Sequence, residues 1–367
     1  MKKYSFVIPT YQSKNMIINT LAAISRLKGF KKDKYEVVIV DDGSTDGTEE
    51  AVKNIKASFN IKYIYLERNA DSCRSRARNV GWKCAEGEII IFIDADILVK
   101  DDYLSELERY FSVRKDLLVA GTRIMIPETV AVTSVKDGSV FDKFRFSLDN
   151  KELIEFRHDI FNELSYNSSR MDCPFLYCLS CNLALPKSWL ESIGGFDEDL
   201  KKWGVEDIEM VYRAYKKGIK IVLNSKLEVF HQFHGFSGTF VDEDKLEGVR
   251  ENTEIFLRKN KGAFRNSSDI EVYDLFNSIA TRFIGVEETY KINKPEIIID
   301  FYDKEQLQDI KQTILELSTK NDYKILVNDF VEDTDLDIWI QLLDCCNPPA
   351  YYPISRKIEK DFILGRY

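Results

Sequence analysis

Asp94 and Asp96 are the residues of this sequence whose types and spacing most strongly suggest chemistry. They are separated by Ala95 and follow five apolar residues, 89–93, which are typical of a buried strand. Two carboxylates held this close repel each other unless a cation lies between them. Mg²⁺ and Mn²⁺ bind one or two carboxylates and complete their shells with water and phosphate oxygens. The pair therefore predicts a divalent metal site that binds a nucleotide diphosphate, although acidic residues are also common in turns.

A second acidic pair, Asp41 and Asp42, follows another apolar run at 37–40. Either carboxylate could accept a hydrogen bond from uracil N3–H or from a ribose hydroxyl, and Gly43 permits close approach of the backbone. The pattern also fits a plain loop in which a polar side chain caps the next helix. From the residues alone, nucleotide contact and helix capping both remain open.

Four arginines follow the third apolar run: Arg68, Arg74, Arg76 and Arg78. Guanidinium groups beside a helix N-terminus suit a diphosphate. On a helix, Arg74 and Arg78 share a face, whereas Arg76 points elsewhere and is predicted to be solvated. We predict that Arg68, Arg74 and Arg78 contact the diphosphate, with structural ion pairing as the alternative.

Glu206 and Asp207 supply a candidate general base, because they open a predicted helix whose dipole stabilises an ionised carboxylate. A carboxylate that accepts a proton from a nucleophile raises rates by about 10²–10⁴. Acidic residues are also common in first turns for structural reasons. Trp203 and Gly204 precede them and favour the catalytic interpretation, since an exposed indole beside a flexible glycine forms a stacking surface for a sugar ring.

Two of the three histidines, His231 and His234, follow a later predicted strand. A lone histidine is more often structural than a metal ligand. Asp94 and Asp96 leave a metal site short of a third protein ligand, so we predict His231 for that position and His234 as the second choice.

The elements that must position these residues are apolar runs alternating with stretches of helical spacing. The runs are 4–8, 35–40, 61–66, 88–93 and 117–120, and the helical stretches are 14–27, 46–57, 72–85 and 101–114. Runs that are apolar throughout predict an α/β, Rossmann-like fold with a mostly parallel sheet flanked by helices. Ligands of such folds bind at the carboxyl ends of the strands, which adds Pro9, Thr10 and Tyr11 to the candidate nucleotide contacts.

Beyond residue 121 the alternation weakens. Residues 122–170 predict an irregular segment with one helix near 150–163. A separate β-α-β pattern occupies 296–328, and a helix is predicted near 335–345. We predict three sections: 1–121, 122–265 and a small C-terminal α/β section, 266–367.

The composition predicts a globular, cytoplasmic protein. The 367 residues carry a net charge of −9, which argues against general binding of nucleic acid, because such binding depends on clustered cations. The first residues lack the pattern of a signal peptide, and no apolar run is long enough to form a transmembrane segment. The seven cysteines fit reduced thiols, and Cys178 and Cys181 fit buried thiols better than a metal or redox pair.

Together these motifs resemble those of the family 2 glycosyltransferases of the GT-A fold over residues 4–236. The shared segments are Val7-Ile8-Pro9-Thr10-Tyr11, Val40-Asp41-Asp42-Gly43-Ser44, Ala77-Arg78-Asn79-Val80-Gly81, Asp94-Ala95-Asp96 and Glu206-Asp207. The stretch 194–207 also resembles an acceptor-side segment found in the C-terminal regions of bacterial chondroitin polymerases and animal galactosyltransferases. By this resemblance, 1–121 and 122–265 are the nucleotide-sugar-binding half and the acceptor-binding, catalytic half of one GT-A domain, and 266–367 is a module of unassigned role.

The resemblance implies an inverting, metal-dependent enzyme that moves a sugar from a UDP-sugar to a hydroxyl or thiol of a glycan, lipid-linked or peptide acceptor. Asp94, Asp96 and His231 would hold the Mn²⁺ or Mg²⁺ ion. Asp41 or Asp42 would contact uracil.

In the implied reaction, Asp207 accepts the proton of the acceptor while UDP leaves. The glycine usual in the family after Asn69 is replaced by Ala70 and Asp71.

Two alternative functions remain. A sugar nucleotidyltransferase would need a glycine-rich loop that 9–13 lacks, and a non-catalytic protein could bind a nucleotide or sugar through the same fold. Peripheral membrane association and a homo-oligomer formed through 266–367 also remain open.

Overall fold

The computed structural model describes residues 2–145, 173–235, 243–263, 295–320 and 324–331, the backbone of 354–357, and single residues near 153–168 and 336–339. The chain divides into two compact units, 1–158 with 175–282 and 159–174 with 283–367. The division predicted at residues 121 and 265 stays a prediction.

The first unit is built on an eight-stranded, mostly parallel sheet. Its strands are β1 (Tyr4–Thr10), β2 (Tyr35–Asp41), β3 (Asn60–Tyr65), β4 (Ile89–Ile93), β5 (Ile97–Leu98), β6 (Leu117–Met125), β7 (Asn182–Pro186) and β8 (Lys220–His231). They lie in the order β3-β2-β1-β4-β7-β6-β8-β5. Strand β7 runs antiparallel to β4 and β6, and β5 runs antiparallel to β8, whereas the other neighbouring pairs are parallel.

The central strands are apolar because they are buried. All seven residues of β2 and all five of β4 are buried, as parallel strands in the middle of an α/β sheet should be. The register pairs Asp41 with Thr10 on one side and with Tyr65 on the other. The carboxyl ends of β1, β2 and β3 therefore lie together at one edge, and the predicted α/β class is confirmed.

Helices connect these strands in the first unit. Those described are α1 (Lys14–Ser25), α2 (Thr48–Lys53), α3 (Arg74–Cys84), α4 (Tyr103–Phe111), α5 (Val132–Asp137), α6 (Ser139–Lys143), α7 (Lys187–Ile193), α8 (Glu206–Lys216) and α9 (Glu243–Lys259), with 3₁₀ turns at Lys32–Lys34 and Pro174–Tyr177. Helix α3 packs closely on the sheet because residue 81 is glycine. A Cβ at Gly81 would lie 2.4 Å from Val7 Cγ1 and 3.2 Å from Val40 Cγ2.

The second half of this sheet differs from the simple series that the sequence predicts. Strand β7 inserts between β4 and β6, and the short run at 117–120 is the start of a nine-residue strand. The prediction of an irregular segment from residue 122 was wrong for the end of β6 and for α5 and α6, and α9 was not predicted. Helices α5 and α6 are only six and five residues long, too short for a helical period to show. Most of the helix predicted near 150–163 lies outside the described residues.

The second unit contains a three-stranded parallel sheet in the order β11-β10-β9. Its elements are β9 (Glu296–Phe301), a 3₁₀ turn (Lys304–Gln306), α10 (Leu307–Lys320), β10 (Lys324–Asp329) and β11 (Ile354–Lys357). Ile310 and Ile314 of α10 pack with Phe301, Ile325 and Val327 in its core. The predicted β-α-β pattern is confirmed, whereas β11 was not predicted. Most of the helix predicted near 335–345 lies outside the described residues.

Candidate active site

The loop after β4 brings Asp96 next to two histidines. The Nε2 atoms of His231 and His234 lie 3.4 Å and 3.5 Å from Asp96 Oδ2. Among the residues that the structure describes, these three form the one group whose donor atoms are close enough to share a metal ion, all within 4.8 Å of one another. Asp96 Oδ1 is buried without a hydrogen-bond partner, so it is available to a cation. The sequence posed a choice between His231 and His234, but both lie beside Asp96.

Strand pairing places these groups. Ile97 of β5 pairs with His231 of β8. Burial lowers the pKa of His231, although the charge of Asp96 opposes this. The imidazole of His231 is therefore neutral at pH 7, which is the form that binds metals.

Asp94 is not part of this cluster. Its Oδ1 accepts a hydrogen bond from Arg78 Nη2 at 3.1 Å. Burial would raise the pKa of Asp94, but the charges of Arg78 and Arg74 outweigh burial and lower it. Of the three predicted metal ligands, the structure thus brings Asp96 and His231 together and pairs Asp94 with an arginine.

Arg78 joins the two predicted carboxylate motifs. Its guanidinium also donates from Nη1 to Glu206 Oε1 at 3.0 Å, and its side chain is 2% exposed. Burial disfavours the charge of Arg78, but the charges of Asp94 and Glu206 outweigh burial and raise its pKa. A buried cation between two carboxylates corresponds to the structural ion pairing that the sequence left open for this residue.

Asp207 is the carboxylate best suited to take up a proton. Its Oδ2 accepts from the backbone N–H of Ser180 at 3.1 Å, and its Oδ1 accepts from the N–H of Ile208 at 2.9 Å. Burial and the charge of Glu206 raise the pKa of Asp207 to about 6, although Arg78 opposes them. Such a group is ionised at pH 7 and is still a good proton acceptor. Glu206 instead bonds to Arg78 through Oε1, and its buried Oε2 has no partner.

The turn before α8 has a strained backbone and is hydrogen-bonded to another helix. Val205 is buried and has a φ of 73°, in the left-handed region that β-branched residues rarely adopt. The carbonyl of Gly204 accepts a hydrogen bond from Asn252 Nδ2 at 2.6 Å. The expectation of an exposed indole beside a flexible glycine was wrong, because Trp203 is half-buried and Gly204 is buried.

Asp41 is the last residue of β2, and Asp42 follows it. Of the two, Asp42 has a carboxylate oxygen without a hydrogen-bond partner. Asp41 is fully buried and accepts hydrogen bonds from the backbone N–H of Ser44 at 2.7 Å and from the Tyr63 hydroxyl. Asp42 Oδ2 accepts from Arg68 Nη1 at 2.9 Å, but its Oδ1 is buried without a partner. A buried acceptor costs free energy unless something bonds to it. Asp42 is therefore the better candidate to contact a nucleobase.

Arg68 also stacks on an aromatic ring. Its Cζ lies 3.8 Å from the centre of the Tyr11 ring, which is 44% exposed. Gly43 makes room for Arg68, since a Cβ at Gly43 would lie 2.7 Å from Arg68 Cβ. Thr10 Oγ1 is buried without a partner beside this pair in the chain. The ends of β1 and β2 thus offer polar and aromatic groups suited to a nucleobase.

The remaining predicted donor contacts are placed less directly. Pro9 is half-buried near the end of β1, and Ala95 is buried between the two aspartates. Arg74 is exposed at the first position of α3, where its charge acts on Asp94. Arg76, which was predicted to be solvated and not to contact the donor, is half-buried and donates to Asn69 Oδ1 at 3.3 Å.

Sequence reasoning missed Arg123 and Glu155. Arg123 Nε donates to Glu155 Oε2 at 3.0 Å. Burial opposes the charge of Arg123, but nearby acidic groups, including Glu155 and Asp96, outweigh burial and raise its pKa. Both residues lie in or near the segment without periodicity, so no pattern in the sequence could have identified this positive charge near the metal cluster.

Cys178 and Cys181 are buried and do not form a disulfide bond. Burial raises the pKa of Cys178 to about 12 and that of Cys181 to about 11. Both thiols are therefore protonated at pH 7, as expected of buried structural cysteines.

The sequence model of glycosyl transferase family 2 matches residues 5–168, and that of the N-terminal domain of galactosyltransferase matches residues 163–234. A validoxylamine A glucosyltransferase of Streptomyces hygroscopicus subsp. jinggangensis is 31% identical over 307 residues, which are 81% of this chain and 70% of the relative. The chain belongs to glycosyltransferase family 2. A validoxylamine A glucosyltransferase of Streptomyces hygroscopicus subsp. limoneus is likewise 31% identical over 307 residues, and the chain spans 65% of that relative, just under two thirds. Escherichia coli chondroitin synthase is 24% identical over 278 residues, which are 73% of this chain and 40% of the synthase.

Two solved structures show the same fold as this family 2 chain. Staphylococcus aureus TarS 1-349 in complex with UDP-GlcNAc has a TM-score of 0.51 and 19% identity, covering 87% of this chain and 80% of that one. The mannosyltransferase PcManGT from Pyrobaculum calidifontis, in complex with GDP-Man and Mn²⁺, has a TM-score of 0.52 and 18% identity, covering 76% and 69%. The predicted GT-A fold is thereby confirmed. Within the described residues, no helix is both long and apolar enough to cross a membrane.

Proposed function

We propose that this protein transfers a sugar from a UDP-sugar to an acceptor hydroxyl, with inversion at the anomeric carbon and with a divalent metal ion. The Arg78 bridge carries this proposal. It joins Asp94, beside the metal cluster in sequence, to Glu206, the neighbour of the candidate base Asp207. Arg78 therefore links the loop that carries the candidate metal ligand Asp96 to the start of the helix that carries the candidate base, as a transfer reaction requires.

Asp96, His231 and His234 would hold the ion. The unpartnered Asp96 Oδ1 and the neutral imidazole of His231 fit a divalent cation. Two imidazoles and one carboxylate suit Mn²⁺ better than Mg²⁺, which prefers oxygen ligands. When bound, the ion would neutralise charge on the leaving diphosphate.

Asp207 would act on the acceptor. It accepts the proton of the acceptor hydroxyl while the hydroxyl oxygen bonds to the anomeric carbon and the bond from that carbon to the UDP oxygen breaks. The N–H groups of Ser180 and Ile208 orient the carboxylate. A single displacement of this kind inverts the configuration at the anomeric carbon.

A uridine nucleotide is the proposed donor group. Asp42 offers its unpartnered Oδ1 to the base, and Tyr11 with Arg68 offers a stacking surface. The name glucosyltransferase of the relatives supports a hexose as the transferred sugar. TarS, which shares the fold, was solved in complex with UDP-GlcNAc, and this supports a UDP-linked donor.

The acceptor is proposed to be a hydroxyl of a glycan or polyol. The names validoxylamine A glucosyltransferase and chondroitin synthase support a carbohydrate-like acceptor. The wider hypothesis also includes lipid-linked and peptide acceptors and a thiol nucleophile. It further includes a cytoplasmic location, peripheral membrane association and a homo-oligomer formed through 266–367.

A donor screen that reports released UDP, with and without EDTA, tests the proposal. We expect Mn²⁺-dependent release of UDP from one or a few UDP-sugars, increased by the correct acceptor. A purified, folded protein that releases no UDP from any UDP-sugar in the presence of Mn²⁺ would contradict transfer.

Two further measurements separate the alternatives. If calorimetry shows that the protein binds UDP with Mn²⁺ while the donor screen detects no release of UDP, the protein is a non-catalytic nucleotide-binding protein. A sugar nucleotidyltransferase would instead form a UDP-sugar and pyrophosphate from UTP and a sugar phosphate, and an assay for released pyrophosphate would detect this.

A further inference from the structure

We propose that Gln232, together with Thr20 and Asn19, positions the metal cluster through the backbone of the segments that carry Asp96 and His231. The three side chains bond to protein groups and not to the cluster's donor atoms, so they are positioning residues. This inference rests on the proposed metal-dependent function and adds the residues that set how tightly the ion is held.

These side chains form a buried hydrogen-bond network between α1 and the end of β8. Gln232 is 1% exposed, and its Oε1 accepts from Asn19 Nδ2 at 2.8 Å. Its Nε2 donates to the Met16 carbonyl at 3.1 Å and to Thr20 Oγ1 at 3.4 Å. The Thr20 hydroxyl donates in turn to the carbonyl of Ala95 at 2.7 Å. Both ends of the Gln232 amide are therefore satisfied.

The network reaches both segments of the cluster. Ala95 directly precedes Asp96, and Gln232 directly follows His231. The backbone N–H of Gln232 also donates to the carbonyl of Asp96 at 2.9 Å. The β5–β8 ladder consists of two residue pairs, Ile97 with His231 and Leu98 with Phe230. The ladder between β5 and β8 is therefore short, and the network adds a second connection between these two segments, through α1.

Three buried polar side chains are a costly way to attach a helix to a sheet. Helix α1 already buries Ile17, Leu21 and Ile24, and an aliphatic side chain at position 232 would avoid desolvating an amide. A satisfied polar network, however, specifies one arrangement, because any shift leaves a buried donor or acceptor unpaired. A metal site needs this property, since its ligands must keep fixed distances.

The test is Mn²⁺ binding measured without turnover, from the loss of the free-ion signal in electron paramagnetic resonance. Gln232→Met keeps the approximate shape and removes the side-chain hydrogen bonds, and Thr20→Val removes the hydroxyl at nearly constant volume. We expect each to weaken Mn²⁺ binding about tenfold, the lower end of the effect of residues that orient metal ligands. Thr20→Ser should bind Mn²⁺ as the wild type does. At saturating Mn²⁺, kcat and the KM for the donor should return close to wild-type values.

Asn224→Leu is the matched control. Asn224 is also buried in β8, and its Nδ2 donates to Glu106 Oε1 at 2.9 Å, away from the cluster in sequence. This variant should lower the Tm and leave Mn²⁺ affinity unchanged. If Gln232→Met and Thr20→Val lower the Tm but bind Mn²⁺ like the wild type, the network is structural only and the inference is overturned. If the wild type itself binds no Mn²⁺, the proposed metal site fails, and this inference fails with it.

Discussion

The two units both carry acidic side chains at the carboxyl ends of parallel strands, but they differ in how these groups are partnered. In the second unit, Asp300 Oδ1 accepts a hydrogen bond from Asn328 Nδ2 at 2.7 Å. In the first unit, Asp42, Asp96 and Glu206 each keep a buried oxygen without a partner. Throughout the described part of the chain, the buried polar side-chain atoms without a partner all belong to the first unit.

This difference shows that an acidic residue at a strand end does not by itself mark a site. A buried oxygen without a hydrogen bond costs roughly 1–3 kcal/mol, so each of these three carboxylates calls for a partner such as an ion, a ligand or an ordered water. The unpartnered oxygens, and not the number of carboxylates, distinguish the candidate active site from the sheet of the second unit.

The largest expected effect comes from Asp207→Asn. Loss of the proton acceptor should lower kcat by about 10²–10⁴, whereas UDP binding measured by calorimetry should stay unchanged. Asp300→Asn in the second unit is the control and should leave both quantities unchanged. Loss of UDP affinity in Asp207→Asn would indicate that this residue serves structure or donor binding instead.

Asp96→Asn should have the next largest effect. Because Asp96 is a candidate ligand, we expect Mn²⁺ affinity to fall by about 100-fold, at or beyond the upper end of the effect of residues that only orient ligands. Asp94→Asn should weaken Mn²⁺ binding less, since Asp94 is paired with Arg78. Titration with Mn²⁺ measures both variants, and equal losses would place Asp94 in the metal site as well.

The pH dependence of kcat should reflect Asp207. Its carboxylate must be ionised to accept a proton, and its pKa is raised to about 6. The rate should therefore be constant near pH 7–8 and fall about tenfold per pH unit below about pH 6. A profile at saturating donor and Mn²⁺ measures this, and a flat profile down to pH 5 would exclude Asp207 as the base.

The smallest expected effect is on stability. The folded-state pKa of Asp207 lies above its ordinary value of 3.8, so the ionised carboxylate destabilises the fold as the pH rises through about 6. Asp207→Asn should thus raise the Tm at pH 7 by about 2–5 °C, with little change at pH 4. Asp300→Asn should not raise it, because Asp300 is exposed and its carboxylate stays in contact with water. A lower Tm for Asp207→Asn would show that the carboxylate supports the fold.

Much of the first half of the fold could be predicted from the sequence. Continuous apolar runs located β1 to β4, and a parallel sheet requires their carboxyl ends to meet, which placed Asp42 and Asp96 at one edge. Strand β7 could not be placed, because an antiparallel strand between two parallel ones has the same apolar pattern as its neighbours. The pairing of strands is a property of the whole sheet.

The site was predicted in residue types more than in roles. The acidic pair after β2 gave no way to tell Asp41 from Asp42, since the difference lies in the hydroxyl of Tyr63, which only pairing of β2 with β3 brings close. Arg78 looked like a phosphate contact until folding placed it between Asp94 and Glu206. Such distinctions depend on contacts between residues far apart in the chain.

The left-handed conformation of Val205 sets a limit on engineering this protein for heat resistance. A strained residue of this kind costs about 1–3 kcal/mol, and glycine would be the usual remedy. Glycine here would also free the peptide that aims Asp207, because the strained turn directly precedes the helix that carries it. Substitutions meant to stabilise the protein are better placed on the surface of the second unit, where they would not change the orientation of Asp207.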